Sequence, residues 1–305
     1  MSTSQLWFIA IIFGGADRNR TDVQGVAVLC IATLPPHLFK LDTLTSTPYY
    51  KNLVKNDADF TFKISIFGVK RHCNNEDVRY LMTQSQNNFQ EAREAMIDSQ
   101  IHPMGVVSEE ILGAFHIVPR EQFVPEEKQG ICYSDEDIEL AQGRYLMEPA
   151  VLARLLQAAE PKKSDVALTV GSGAGYHAAI LSHLVTTVIA LDDDDAFLKT
   201  AQEAWDQTEC SNIASLSGSL TDGMPDHAPY DLIFVNGAMS SVPQAMKEQL
   251  SVGGRLVILL KESGEKLAKA MLIQRLENDI YAEKVLFESG TPYLKGFEPE
   301  KEFVF

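Results

Sequence analysis

The spacing of apolar residues changes near residue 82. Before that point, apolar residues form short runs, such as the run 6–13, that follow neither helical nor alternating periodicity. From Met82 onward they recur at the spacing of one helix face, and the first examples are Phe89, Ala92, Met96 and Ile97. Regular alternation of helices and strands is therefore predicted for the part of the chain after residue 81.

Two helix boundaries can be placed in the region 82–160. Ser108 precedes acidic residues and an apolar run, which is the pattern of a helix N-cap. The helix is expected to end at Val118-Pro119, because proline disfavours a helical conformation in the residue before it. Pro149 suits the first position of a second helix that continues to Ala159. Residues 82–160 are thus predicted as a helical N-terminal region.

Strands and helices alternate in residues 161–305. This alternation predicts an α/β fold with a mostly parallel sheet and helices on both faces. Two final strands around a polar turn predict an antiparallel hairpin at the sheet edge. The predicted strands are Val166–Val170, Thr187–Leu191, Ile213–Leu216, Asp231–Val235, Arg255–Leu260, Ala268–Leu276 and Tyr281–Glu288, and the predicted helices are Tyr176–Leu184, Asp195–Trp205 and Pro243–Leu250.

Composition and charge narrow the function classes. The 305 residues carry 26 Lys and Arg against 42 Asp and Glu, a net charge of −16, which opposes binding to nucleic acid or to anionic lipid. The longest apolar run, 6–13, is far shorter than the ~20 residues that span a bilayer, and no basic residue precedes it as in a signal peptide. Four scattered cysteines favour a reducing cytoplasm over a disulfide framework or a zinc site.

Residues 1–81 differ in charge from the rest of the chain. They hold nine basic and seven acidic residues, whereas residues 82–305 hold seventeen and thirty-five. Two interpretations of residues 1–81 stay open. They form a small extension beside the domain of residues 82–305, or Met82 is the natural start of the protein.

A glycine-rich turn follows the predicted strand Val166–Val170 and precedes a helix. Glycines at alternate positions let the backbone approach a ligand closely, and an acid ending the next strand accepts hydrogen bonds from ribose hydroxyls in nucleotide-binding α/β folds. Asp192 is that acid, expected in a cleft where its replacement weakens ligand binding without affecting folding. The spacing Gly171-Ser172-Gly173-Ala174-Gly175 differs from the dinucleotide fingerprint, in which the third glycine comes one residue later.

Several sequence blocks, in this order, resemble the protein-L-isoaspartate O-methyltransferase family. The resemblance runs from about Glu91 to the C-terminus and leaves residues 1–81 uncovered. The block Val118–Glu126 is quite specific to that family. The blocks are Met96–Ile101 (MIDSQI), Val118–Glu126 (VPREQFVPE), Gly143–Pro149 (GRYLMEP), the glycine turn, Tyr230–Val235 (YDLIFV) and Leu250–Leu256 (LSVGGRL).

The resemblance implies a Rossmann-like methyltransferase fold and a reaction. The family transfers a methyl group from S-adenosylmethionine to the carboxylate of isoaspartyl residues in damaged proteins, so a protein or peptide is the implied substrate. It implies no metal. The implied cofactor-binding residues are Gly171, Ser172, Gly173, Gly175, Asp192 and Ser219.

Within residues 82–160, the resemblance assigns Gly143–Pro149 to the family's substrate loop, and this loop departs from the family pattern. Met147 stands where the family has a serine associated with its catalytic site, and Thr169 and Asn236 also replace family residues. Arg144 is a candidate contact for the acceptor carboxylate; the alternative is a surface arginine paired with Glu148 or Asp137. A relative that binds cofactor or a partner without repair, and a methyltransferase for another acceptor, therefore stay open as alternative functions.

Overall fold

The computed structural model describes residues 88–141 and 143–299, together with the backbone of four strands nearer the N-terminus. Its contacts divide the chain into two units, 1–89 and 90–305. The four strands of the first unit form an antiparallel sheet in the order β2-β1-β3-β4. They are β1 (Trp7–Ile12), β2 (Val26–Ile31), β3 (Phe62–Ile66) and β4 (Val69–Cys73). The proposed boundary at Met82 lies outside the described residues.

The second unit begins with helices and continues as an α/β sheet. Helix α1 covers 88–96. The elements after it are α2 (Glu109–Ile117), β5 (Ile138–Ala141), β6 (Arg144–Leu146), α3 (Pro149–Ala159), β7 (Val166–Val170), α4 (Tyr176–Ser182), β8 (Thr187–Asp192), α5 (Asp195–Gln207), β9 (Ile213–Ser217), β10 (Tyr230–Met239), α6 (Gln244–Glu248), β11 (Leu250–Leu260), β12 (Ala268–Arg275) and β13 (Tyr281–Ser289).

Seven of these strands form one sheet, in the order β13-β12-β11-β10-β7-β8-β9. Strands β7 to β11 are parallel to one another, whereas β12 and β13 pair antiparallel at one edge. The short strands β5 and β6 form a separate antiparallel hairpin. The predicted α/β fold, its mostly parallel sheet and its antiparallel C-terminal hairpin are confirmed. Among the described residues, no helix combines the length and apolar character that crossing a lipid bilayer demands.

The central strands are apolar because both faces of the sheet are covered. In β10, Leu232 and Phe234 belong to one core, and Ile233 and Val235 belong to the other; all four are fully buried. Helices α2 to α5 contribute to the first core, and Met246 of α6 contributes to the second. Helices therefore cover both faces, as predicted, and strands buried on both sides have continuous apolar sequences rather than alternating ones.

The helix boundaries predicted from local signals are also present. Ser108 caps α2, and its Oγ accepts a hydrogen bond from the backbone N–H of Ile111 at 3.4 Å. Pro149 is the first residue of α3. These signals depend on neighbours along the chain, so the sequence carries them directly.

Two predicted boundaries are wrong. Strand β10 continues to Met239, four residues past the predicted end at Val235, and the boundary between the next helix and strand is misplaced. The sequence predicts a helix to Leu250 and a strand from Arg255, but α6 ends at Glu248 and β11 already begins at Leu250. Tyr230 pairs with Leu250, and the register then shifts before Leu232 meets Arg255. The glycines 253 and 254 lie inside this irregularity of the strand rather than in a turn before it, as glycines in strands often do.

Candidate functional site

The turn between β7 and α4 contains three glycines with positive φ angles, +74° at Gly171, +52° at Gly173 and +87° at Gly175. Glycine adopts this region without the strain that a Cβ causes. A Cβ on Gly175 would lie 2.6 Å from the ring of Trp205, whose Nε1–H donates a hydrogen bond to the Gly175 carbonyl at 2.9 Å. Packing inside the protein, rather than a ligand, therefore requires the third glycine.

Asp192 ends β8 and lies against this turn. Its Oδ2 accepts a hydrogen bond from the backbone N–H of Gly173 at 2.8 Å, and its Oδ1 accepts one from the N–H of Asp194 at 3.2 Å. The side chain is fully buried, and a buried carboxylate needs such partners. The structure thus brings Asp192 and the turn together, while their contact with a cofactor stays a prediction.

Arg144 is a further partner of Asp192. Its Nη2 donates to Asp192 Oδ1 at 3.0 Å, its Nε donates to Oδ2 at 3.3 Å, and its Nη2 also pairs with Asp193. The side chain of Arg144 is only 2% exposed. The alternative of a surface pairing with Glu148 or Asp137 is therefore wrong, because the buried guanidinium pairs with Asp192 and Asp193 instead. The contact of Arg144 with an acceptor carboxylate stays a prediction.

The β5–β6 hairpin places Arg144 above the turn. Arg144 is the first residue of β6, directly after Gly143, whose φ of +74° belongs to the turn of the hairpin. A Cβ on Gly173 would lie 3.8 Å from the Cβ of Arg144 and 3.9 Å from the side chain of Leu140 in β5. The protein's own hairpin therefore covers the middle glycine.

Leu294 covers the first glycine of the turn. The backbone N–H of Leu294 donates to the carbonyl oxygen of Ala238 at 2.8 Å, so the segment after β13 runs beside the end of β10. A Cβ on Gly171 would lie 2.6 Å from the Leu294 side chain, which is almost fully buried. This segment has no predicted role, because no local pattern in the sequence marks a contact between residues so far apart.

A small cavity lies beside the turn. It measures about 220 Å3 with its open mouth included, and its lining includes Met147, Ser172, His177 and Asn236. The buried Ser172 Oγ and His177 Nε2 have no hydrogen-bond partner among the described residues. Burial lowers the pKa of His177 to about 3, although the negative charge of Asp192 acts in the opposite direction. His177 is therefore neutral at physiological pH, and its uncharged imidazole can form hydrogen bonds.

Ser219 lies outside this cluster of side chains. It follows β9 and is exposed, and its hydroxyl lies 3.1 Å from the hydroxyl of Thr221. The loop nevertheless begins beside the acid, because the N–H of Gly218 donates to the backbone carbonyl of Asp192 at 3.1 Å. The structure thus places Ser219 at the same edge of the sheet, and its role toward a cofactor stays a prediction.

Arg120 supports the substrate loop, and sequence reasoning gave it no role. It is completely buried, and it donates to the backbone carbonyls of Cys132 at 2.6 Å and Met147 at 2.8 Å. Its guanidinium also lies 4.9 Å from the centre of the Tyr176 ring, a cation–π distance. Arg120 lies in the Val118–Glu126 block, one of the sequence blocks that carry the family resemblance. Arg120 therefore joins the loop at Met147 to the first residue of α4.

Sequence comparisons with known proteins point to one family. The sequence model of the family described as protein-L-isoaspartate(D-aspartate) O-methyltransferase matches residues 91–289. A protein-L-isoaspartate O-methyltransferase 2 of Pelobacter propionicus is 33% identical over 202 residues, 66% of this chain and 89% of its own length. A protein-L-isoaspartate O-methyltransferase of Roseiflexus sp. is 35% identical over 191 residues, 63% of this chain and 86% of its own length.

A solved structure shares the fold. It is a Plasmodium falciparum protein described as such a methyltransferase in complex with S-adenosyl-L-homocysteine. The TM-score is 0.57 at 18% identity, and the alignment covers 68% of this chain and 98% of the other. At this level of identity the likeness concerns the fold alone.

Proposed function

The chain belongs to the protein-L-isoaspartate(D-aspartate) O-methyltransferase family, and we propose that it transfers the methyl group of S-adenosylmethionine to the carboxylate of isoaspartyl residues in damaged proteins. The observation that carries this proposal is the glycine turn with Asp192 held against it, at 2.8 Å from the N–H of Gly173. An acid at this position binds ribose hydroxyls in related α/β folds. The family match includes the turn and the acid.

The residues at the turn fit S-adenosylmethionine in kind. Gly173 carries no side chain, although the β5–β6 hairpin covers it in this structure. Asp192 supplies a carboxylate for ribose hydroxyls, and Ser172 has a buried hydroxyl without a partner among the described residues. Arg144, however, engages both oxygens of Asp192. Inside its open mouth the adjoining cavity holds only about 10 Å3, far below the roughly 300–1,000 Å3 of common ligand pockets. The proposal therefore requires Arg144 to release Asp192 when the cofactor binds.

The proposed reaction needs little acid–base catalysis by the protein. The cofactor supplies a methyl group that its sulfonium charge already activates. An acceptor carboxylate with a pKa of about 4 is ionised at neutral pH, so no general base is needed. The protein's task is to align the two reactants and to exclude water.

The substrate loop contributes to this alignment through its backbone. Arg120 holds the carbonyl of Met147 at 2.8 Å, and Asn236 bonds the carbonyls of Tyr145 at 3.3 Å and Gly171 at 3.1 Å. These bonds tie the loop to the glycine turn. The thioether of Met147 offers no hydroxyl to an acceptor, so the proposal assigns positioning to these bonds and not to residue 147.

Methyl transfer tests the proposal directly. The full chain is incubated with tritiated S-adenosylmethionine and an isoaspartyl peptide, and the control is the same peptide with ordinary aspartate. We expect a base-labile methyl ester on the isoaspartyl peptide only. If folded protein binds S-adenosylhomocysteine but labels neither peptide, the proposed acceptor is wrong; if it does not bind the cofactor product at all, the proposed activity is wrong.

Met147 favours a second candidate function. Without the serine hydroxyl, the chain is a relative that binds cofactor or a partner without repairing proteins, or one that methylates a different acceptor. A panel of proteins and small carboxylic acids, assayed with the same tritiated cofactor, separates these two. Label on a panel member but not on the isoaspartyl peptide supports another acceptor, and binding without any label supports a binding role.

Within the same proposal, the protein acts in the cytoplasm on protein or peptide substrates. The net charge of −16 argues against nucleic acid and anionic membranes as partners. Cys132 and Cys210 are buried free thiols, which suits a reducing compartment.

A further inference from the structure

Arg144 occupies the two oxygens of Asp192 that a ribose would use. We propose that Arg144 competes with the cofactor for Asp192, and that Asp193 retains the guanidinium when ribose hydroxyls take its place. Arg144 would thus set the affinity of the site for its cofactor. This inference rests on the proposed function, because it takes S-adenosylmethionine as the ligand of the turn.

The geometry of the pair makes the guanidinium and a ligand exclude each other. The guanidinium of Arg144 reaches Oδ1 of Asp192 at 3.0 Å and Oδ2 at 3.3 Å. Asp192 is 0% exposed and Arg144 is 2% exposed, so the pair lies inside the protein. A ligand that hydrogen-bonds this carboxylate must displace the guanidinium, because backbone N–H groups take part of the remaining accepting capacity.

The neighbouring acid gives the guanidinium a second partner. Asp193 also pairs with Nη2 of Arg144, and its side chain is 43% exposed. A guanidinium that leaves Asp192 therefore still has a carboxylate partner in reach and gains contact with water. Moving a buried arginine away from its only partner is costly, and Asp193 lowers that cost.

One hydrogen-bond donor of Arg144 is unsatisfied. Nη1 of Arg144 is buried and has no hydrogen-bond partner among the described residues. Leaving a buried donor without a partner carries a free-energy penalty. The observed arrangement is thus not the best one for the guanidinium, which favours its release when another group satisfies Asp192.

A competing arginine has a defined thermodynamic effect. The apparent dissociation constant of a ligand equals its intrinsic constant divided by the fraction of molecules in the competent state. Minor states of such equilibria are commonly populated at about 0.1–10%. Removing Arg144 should therefore tighten cofactor binding by about tenfold or more. An arginine that only supports the hairpin would give the opposite result, because its loss would loosen the site.

Calorimetric titration of the full chain with S-adenosylhomocysteine tests the proposal. The variants are R144Q, D193N and the double variant, and D195N is the matched control because Asp195 is an exposed acid of the same run. We expect tighter binding in R144Q by about tenfold or more. We expect two- to fivefold weaker binding in D193N, because that factor is about what one partly exposed ion pair contributes to an equilibrium constant. D195N should leave the affinity unchanged.

The double variant separates competition from independent effects. Without Arg144, Asp193 has no guanidinium to retain, so the double variant should bind like R144Q. Equal or weaker binding in R144Q, or additive effects in the double variant, would overturn the proposal. If R144Q fails to fold, as thermal unfolding would show, unchanged affinity in D193N overturns it and selective weakening supports it. Absence of binding in the unaltered chain and all variants would instead overturn the proposed function.

Discussion

Alanine at Gly175 should destabilise the protein more than alanine at Gly173. A Cβ at Gly175 would lie 2.6 Å from the ring of Trp205, which is fully buried and hydrogen-bonded to the same glycine. At Gly173 the nearest atom, the Cβ of Arg144, is 3.8 Å away. Both glycines have positive φ angles, so backbone strain affects both variants, whereas overpacking affects only one.

The magnitudes follow from these two effects. A non-glycine residue in the left-handed region costs about 1–2 kcal/mol, and overpacking a core costs about 1–3 kcal/mol. We therefore expect a loss of about 1–2 kcal/mol for Gly173→Ala and about 2–5 kcal/mol for Gly175→Ala. For a unit of this size, each kcal/mol lowers Tm by about 2–4 °C, so the expected decreases are about 2–8 °C and 4–20 °C respectively.

Differential scanning calorimetry of the two variants and the unaltered chain measures this difference. Titration with S-adenosylhomocysteine provides the second readout, because Gly173 donates its N–H to Asp192 and Gly175 does not. Affinity should thus change most in Gly173→Ala. Equal decreases in Tm, or a larger decrease in Gly173→Ala, would refute the assignment of Gly175 to packing against Trp205.

Three further substitutions have expected outcomes. Arg255→Ala removes the ion-pair partner of Asp165, which is 5% exposed, and should cost about 3–5 kcal/mol in a denaturation experiment. His177→Phe should reduce the acid sensitivity of Tm. The unfolded chain takes up this proton below pH 6.5, whereas the folded chain holds the pKa near 3, so stability falls as the pH drops through this range, by about 2 kcal/mol at pH 5. Asp192→Ala leaves Arg144 buried without its main partner and should lower stability by about 3 kcal/mol; adding Arg144→Gln should recover part of this loss in thermal unfolding.

The sequence predicts features that depend on adjacent residues. Ser108 caps a helix and Pro149 begins one, because each acts on backbone groups within one turn of itself. The glycine turn was found for the same reason, since positive φ angles are a local requirement. The alternation of strands and helices then limits the sheet to a few arrangements.

Which side chains contact the glycine turn and its acid depends on contacts between residues distant along the chain. The sequence does not predict these contacts. Arg144 and Asp192 are 48 positions apart, and Leu294 reaches Gly171 from the other end of the unit. No periodicity marks these pairs. A charged residue on a short hairpin is ordinarily exposed, so Arg144 was expected at a substrate or at the surface and not beside the acid of the turn.

Asp192 shows how this limit affects function. The sequence identified the acid but placed it in a cleft, where its loss would change ligand binding and leave folding unaffected. In the structure the carboxylate is fully buried and paired with Arg144, so its removal leaves the buried guanidinium with Asp193 as its remaining carboxylate partner among the described residues, at a cost in stability. We therefore expect variants of Asp192 to change stability and affinity together. Variants of Arg144, whose competing effect and structural effect have opposite signs, are the ones that can separate the two.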